Sequence, residues 1–227
     1  MEYNYRDYEK DLEQMKSFES ASEWSIMDAQ KKVDVYTHFE KDHFTAKMIQ
    51  DDENFLIFDW RGKETFNLST RYILDKKRGS LIISGDSGDC IASWYNALSA
   101  KEMEYLVNST EYFIEKIQAS SNKYTYLYDD VKEDFYSWKK EIEDEIDSDS
   151  VFDWEFEDDM ERLLSGLLEY DNSGDCRILT DEVLDIIGKY EGDACESVLL
   201  SAGQRISTRI YLWTVGFQLG VTQLGLA

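Results

Sequence analysis

NFLIFDWRGKETFNLSTRYILDKKRGSLIIS, residues 54–84, is the stretch on which the fold turns. Three runs rich in β-branched and aromatic residues, Asn54–Trp60, Phe66–Leu74 and Ser80–Ser84, are separated by RGKE (61–64) and DKKRG (75–79). Apolar and polar residues alternate within the runs, and connections this short join antiparallel neighbours, so the stretch predicts a β-meander. Two upstream runs, VDVYTHF (33–39) and HFTAKMI (43–49), show the same period of two and are set off by EKD (40–42) and QDDE (50–53). The expectation is about five antiparallel strands between residues 30 and 85.

On either side the period lengthens to that of a helix. Tyr5, Tyr8, Leu12, Met15 and Phe18 recur three and four apart, an amphipathic N-terminal helix that Ser20–Ser25 breaks. After Gly85–Asp89 the chain is expected to become helical. Ser99 with Glu102 forms a capping box, opening one helix with a stripe of Met103, Leu106, Val107, Phe113, Ile114 and Ile117. Val131, Phe135, Trp138, Ile142 and Ile146 form a second seam, and Phe156, Met160, Leu163, Leu164 and Leu167 a third. Val183–Tyr190 and Ser197–Ala202 read as shorter helices. Ile210–Leu226 carries no charge, but Thr214, Gln218, Thr222 and Gln223 interrupt it, so a buried helix is expected rather than a membrane span. Its Gly216 and Gly220 permit close packing, in the core or across a dimer. The fold class expected is α+β: an N-terminal helix, an antiparallel β-meander of about five strands, then a helical C-terminal half. Residues 1–98 would hold the first helix and the sheet, residues 99–227 an acidic helical half, the two forming one compact unit.

The chain has 227 residues, 42% of them hydrophobic and 14% aromatic, enough to build a substantial core despite 32% charged residues. Its formal charge of −24 is uneven: residues 1–120 hold 23 acids and 15 bases, residues 121–227 hold 25 acids and 9 bases. Direct binding to nucleic acid or an anionic membrane is disfavoured, whereas a basic partner would be steered in. Three cysteines and a start charged from Glu2 onward point to a reducing, cytoplasmic setting without a disulfide framework.

Charge is densest in EIEDEIDSDSVFDWEFEDDME, residues 141–161, which holds twelve acids and neither Lys nor Arg. Those assigned to partner binding are Glu141, Glu143, Asp144, Glu145, Asp147, Asp149, Asp153, Glu155, Glu157, Asp158 and Asp159. A helix running to Asp149 would place six charges along about 13.5 Å, about one per 2.2 Å. Duplex DNA presents one phosphate per about 1.7 Å of axis, so such a surface offers the Lys and Arg of a nucleic-acid groove what DNA offers. The alternative is a solvated acidic face that keeps the protein soluble.

Motifs for catalysis or cofactors are sparse. Gly85-Asp86-Ser87-Gly88 is similar to the G-D-S-G around a chymotrypsin-like serine nucleophile, but only His38 and His43 are available and the second half is helical, so a Gly-rich turn is expected. Asp171, Ser173, Asp175 and Glu182 follow the spacing of an EF-hand calcium loop, with Cys176 where a Gly must make the sharp turn. The alternative there is a polar helix-to-helix connection. His38 and His43 have no metal-ligand spacing, and the cysteines form no Cys-x-x-Cys pair, reading as small buried side chains. No phosphate loop or dinucleotide fingerprint is present, and no cofactor is expected.

RYILDKKRGSLIISGDSGDCIASWYN, residues 71–96, resembles a pattern in uncharacterised proteins of phages and other mobile elements: R-Y-x-L, a turn, then L-x-I-x-G-D-x-G. Gly85, Asp86 and Gly88 match; the group commonly has an apolar residue where this chain has Ser87. The resemblance implies a protein made by an invading element and assigns no activity. By class and charge the chain also looks like the anti-CRISPR and anti-restriction inhibitors, several of which mimic DNA. The function expected is therefore a non-enzymatic, DNA-mimic-like inhibitor of a host nucleic-acid-targeting nuclease complex with a basic groove, such as CRISPR-Cas or restriction. The alternative is a self-associating interaction module, a homodimer through the aromatic-rich sheet or the C-terminal helix, with the charge serving solubility.

Overall fold

A computed structural model describes residues 7–18, 20–63, 68–145, 154–169, 179–191 and 197–227. The class is α+β as expected. The chain forms two compact units, residues 1–123 with 208–227, and residues 124–207. The expected division at residue 98 is thus replaced by one after Lys123, and the C-terminal helix returns to the first unit.

In the first unit, helices α1 (Tyr8–Ser17) and α2 (Glu23–Lys41) precede strands β1 (Thr45–Asp51), β2 (Phe55–Arg61), β3 (Ser69–Asp75), β4 (Ser80–Gly85) and β5 (Cys90–Ser93). Helices α3 (Ala100–Leu106) and α4 (Thr110–Lys116) lead into β6 (Ile117–Ser120). All six strands pair antiparallel in chain order. Two sequence expectations change here. VDVYTHF is the second half of α2, not a strand: Val35 and Phe39 are buried on one helical face, while Thr37, midway in the alternation, is exposed. A spacing of four satisfies both periods, and α2 is fixed by its Ser22 N-cap and by i,i+4 pairs such as Asp28–Lys32 at 2.6 Å. The chain also does not turn helical at once after Asp89, because β5 and β6 complete the sheet. The single helix expected from Ser99 is two, although its capping box at Ser99 and Glu102 is present.

Period two sets the faces of the sheet. Leu56, Phe58, Trp60, Tyr72, Leu74, Leu81, Ile83 and Ala92 are buried on one side, where Phe58, Trp60 and Tyr72 meet the last helix, α8 (Thr208–Gln223). From Ile210 to Val221 every α8 residue but Leu212 is buried, including Thr214 and Gln218. Three of the polar residues that broke the hydrophobic run, Thr214, Gln218 and Gln223, have side-chain partners. Gln218 accepts from the Tyr8 hydroxyl at 2.8 Å and donates to Glu104 O at 3.2 Å. Gln223 accepts from Ala46 N, and Thr214 bonds back to Ile210 O. No described helix is long and apolar enough to cross a membrane. Gly216 and Gly220 are core contacts: a Cβ would lie 2.5 Å from Tyr72 Oη at Gly216 and 2.3 Å from Phe58 Cε2 at Gly220. The helix therefore lies within van der Waals reach of the Phe58–Tyr72 stack, whose rings are 4.9 Å apart.

The second unit contains β7 (Tyr124–Tyr126), α5 (Tyr128–Glu145), α6 (Trp154–Leu168), α7 (Asp181–Glu191), a 3-10 turn at Val198–Ser201, and β8 (Gln204–Ile206), which pairs with β7. Its core joins the expected seams: Val131, Phe135, Trp138 and Ile142 of α5, Met160, Leu163 and Leu167 of α6, Val183 and Ile187 of α7, and Leu199. Ile146 lies outside the described residues.

Candidate acidic interface

Burying Val131, Phe135, Trp138 and Ile142 fixes which way α5 turns its acids. At 100° per residue, Asp129, Glu133, Tyr136, Lys140, Glu141 and Asp144 fall within about 140° of arc on the opposite side, and all six are exposed. Asp129 and Glu133, upstream of the acidic run, thus share its free face; helical spacing from Val131 was the signal that could have found them. The sixteen residues span about 22 Å. Four acids less Lys140 leave about one net charge per 7 Å, sparser than the one per 2.2 Å expected when every acid was counted together.

The remaining described acids of the run are largely caged by cations of their own unit. Lys139 binds Glu157 at 2.8 Å and Glu143 at 3.6 Å. Burial would lower the Lys139 pKa, but these two carboxylates hold it above its usual value. Lys189 binds Glu155 at 3.0 Å and Asp159 at 2.7 Å, and Arg162 reaches Asp158, Asp159 and Glu182. Asp159, expected at the surface, is only 6% exposed. Burial pushes its carboxyl up, yet the Lys189 and Tyr190 hydrogen bonds outweigh this and hold it below the usual range. It ties α6 to α7. Arg205 does the same for Asp130 and Asp134 at the start of α5. Asp147, Asp149 and Asp153, and the side chain of Glu145, lie outside the described residues.

Even so, the unit is intensely acidic. Residues 124–207 hold 25 acids and 7 bases, net −18, against 23 acids and 17 bases, net −6, in the first unit.

The other candidates resolve into structure where they are described. Ser87 is buried, hydrogen-bonded to Thr70 Oγ1 at 2.9 Å, and accepts from Trp213 Nε1 at 3.2 Å. Its hydroxyl holds α8 to the sheet. Gly88, with φ +96°, supplies the turn. Asp171, Ser173 and Asp175 lie outside the described residues; Glu182 is exposed in the first turn of α7 and bound by Arg162. Among the described residues no group of three or more His, Cys, Asp or Glu could hold a metal ion. His38 is in the last turn of α2, 3.5 Å from Asp42, and His43 makes the turn into β1 with φ +50°. Cys90 is buried, which pushes its thiol up to about 12. Of the two surfaces considered for self-association, the C-terminal helix is enclosed from Ile210 to Val221 except at Leu212, and Phe58, Trp60 and Tyr72 of the sheet are buried, whereas Phe55 is exposed on the opposite face. Family models, curated proteins and solved structures return no match to this chain.

Proposed function

We propose that this protein is a non-enzymatic anti-defence inhibitor of the phage or mobile-element kind. Its second unit would seat in the basic groove of a host nucleic-acid-targeting nuclease complex, such as a CRISPR-Cas or restriction assembly, in the cytoplasm of the infected bacterium. The observation that carries this reading is that −18 of the −24 formal charges reside in one compact unit. A field of one sign, concentrated on a folded unit, steers a basic partner and gives it a fixed surface to dock on. The caged acids refine the mechanism. Lys139, Arg162, Lys189 and Arg205 knit the unit's helices and ribbon together, while Asp129, Glu133, Glu141 and Asp144 stand free of described ion pairs on α5. Mimicry is then of sign and total charge rather than of phosphate spacing.

The test is capture from a bacterial lysate at low and high salt, with Glu141, Glu143, Asp144 and Glu145 reversed to Lys in a parallel sample. Recovery of a nucleic-acid-binding protein, lost both in salt and in the reversal, is expected. Capture that survives the reversal unchanged contradicts docking through α5.

A further inference from the structure

In the first unit, α1, α2 and the turn from α3 into α4 line a cavity of about 430 Å³. Small-molecule sites run from roughly 300 to 1,000 Å³. Tyr8, Met15, Phe18 and Trp24 supply its apolar walls. Its polar groups are unevenly served. Lys32 Nζ donates to Asp28 Oδ2 at 2.6 Å and to Asn108 O at 2.9 Å, which occupies one oxygen of the carboxylate. The other, Asp28 Oδ1, is buried without a hydrogen-bond partner. So is Oγ1 of Thr110, a residue 2% exposed. Burial, and then the Asp28 carboxylate beside it, push the Tyr211 hydroxyl above its usual range, yet Oδ1 receives no hydrogen bond from it. A buried oxygen left unpaired costs stability in the free protein, and here two of them belong to residues lining one cavity.

The charge of the lining selects the sign of what enters. Among the described residues that form it, Asp11, Asp28 and Glu111 are opposed by one base, Lys32. The chain carries −24 besides, so an anion is repelled and a cation is drawn in. Asp28 Oδ1 accepts only from a donor, Thr110 Oγ1 can accept a second, and the walls match a hydrocarbon body. A primary ammonium on an apolar body meets all three conditions. A quaternary ammonium lacks the N–H groups, and an alcohol lacks the charge. We propose that this cavity binds a small organic primary ammonium, with its N–H groups on Asp28 Oδ1 and Thr110 Oγ1 and its apolar body along Tyr8, Met15 and Trp24. Water does not reach either oxygen in the free protein, so a rotamer turn of Thr110 and a small rotation of the carboxylate accompany binding.

The experiment is calorimetric titration of the full chain with phenethylammonium, beside its N-trimethyl counterpart and phenethyl alcohol. Saturable binding of the primary ammonium in the range of roughly 0.1–1 mM is expected, with each analogue at least about 10-fold weaker. The N-trimethyl arm also removes general attraction of cations to an acidic chain. Thr110→Val keeps the shape and deletes the hydroxyl. It should weaken binding about 5-fold while the thermal midpoint of the free protein holds or rises, because an unpaired buried oxygen is gone. Asp28→Asn should weaken binding at least about 10-fold. Should it lose its fold by circular dichroism, Thr110→Val carries the test alone. Three results overturn the proposal: no saturable binding of phenethylammonium, equal binding of its N-trimethyl counterpart, or a lowered midpoint for Thr110→Val, which would mean that the fold itself uses the hydroxyl. The site lies in the first unit, so Thr110→Val should capture the groove partner as the wild type does, and failure here leaves the function proposal on its own test.

Discussion

The first unit is organised by burial: a helix whose middle is enclosed rests on a sheet whose Phe58, Trp60 and Tyr72 turn toward it. The second unit is organised by charge around a smaller core, with three amphipathic helices whose outer faces are tied by Lys139, Arg162 and Lys189. One region draws its stability from close packing. The other spreads a large negative field over a modest core and restrains it with a few internal cations. Acid count alone therefore does not measure a binding surface, because part of the charge is consumed in holding the unit together.

The strongest way to sharpen that contrast is a packing change on each side. Phe58→Ala, at 0% exposure beside Gly220 and Tyr72, is expected to cost the first unit about 4 kcal/mol. Leu163→Ala, also fully buried, is expected to cost the second about 3 kcal/mol. Hydrogen exchange should show the loss of protection confined to the unit that was changed. Uniform loss in both would mean that the two units open as one.

The next effect is on binding. Reversing Asp129, Glu133, Glu141 and Asp144 to Lys should weaken capture of a basic partner about 100-fold without moving the thermal midpoint, since all four are exposed and outside the cages. Asp159→Asn should do the opposite. It leaves Lys189 half-paired and Tyr190 with a weaker acceptor, costing about 1–2 kcal/mol by chemical denaturation, with capture nearly unchanged.

Much of this arrangement was legible in the sequence. Phe58, Tyr72 and Leu81 announced a half-buried sheet because one face is covered, so every second residue had to be apolar. Val131, Phe135, Trp138 and Ile142 announced α5 for the corresponding helical reason. Val33–Phe39 misled because seven residues with apolar positions four apart suit either period. Cys90–Ser93 and Ile117–Ser120 were missed because strands of four residues carry too short a pattern to outweigh flanking helical signals. In the acidic run, residue identities gave sign and amount but not pairing. The cations that quench Glu155, Glu157 and Asp159 are Lys189, Lys139 and Arg162, two of which lie well away in sequence.

The smallest effect is a pH dependence. Hydrogen bonds from Arg71 hold the Asp59 carboxyl below its ordinary 3.8, so its contribution to the first unit is present above that value and is lost as pH falls through the lowered pKa. Relief of repulsion among the acids acts in the other direction. The difference between wild type and Asp59→Asn in denaturant midpoint should therefore be constant from neutral pH down to about 4 and shrink below it. A gap that widens on acidification would reverse the assigned sign.

The most direct test of the central claim is competition. Once a partner has been captured, its binding to labelled duplex DNA is titrated with this protein at fixed salt. Displacement of the DNA by wild type, and its retention when Asp129, Glu133, Glu141 and Asp144 are reversed, is the result predicted for an acidic unit that occupies the nucleic-acid groove. A ternary complex, with partner holding DNA and this protein together, would contradict it.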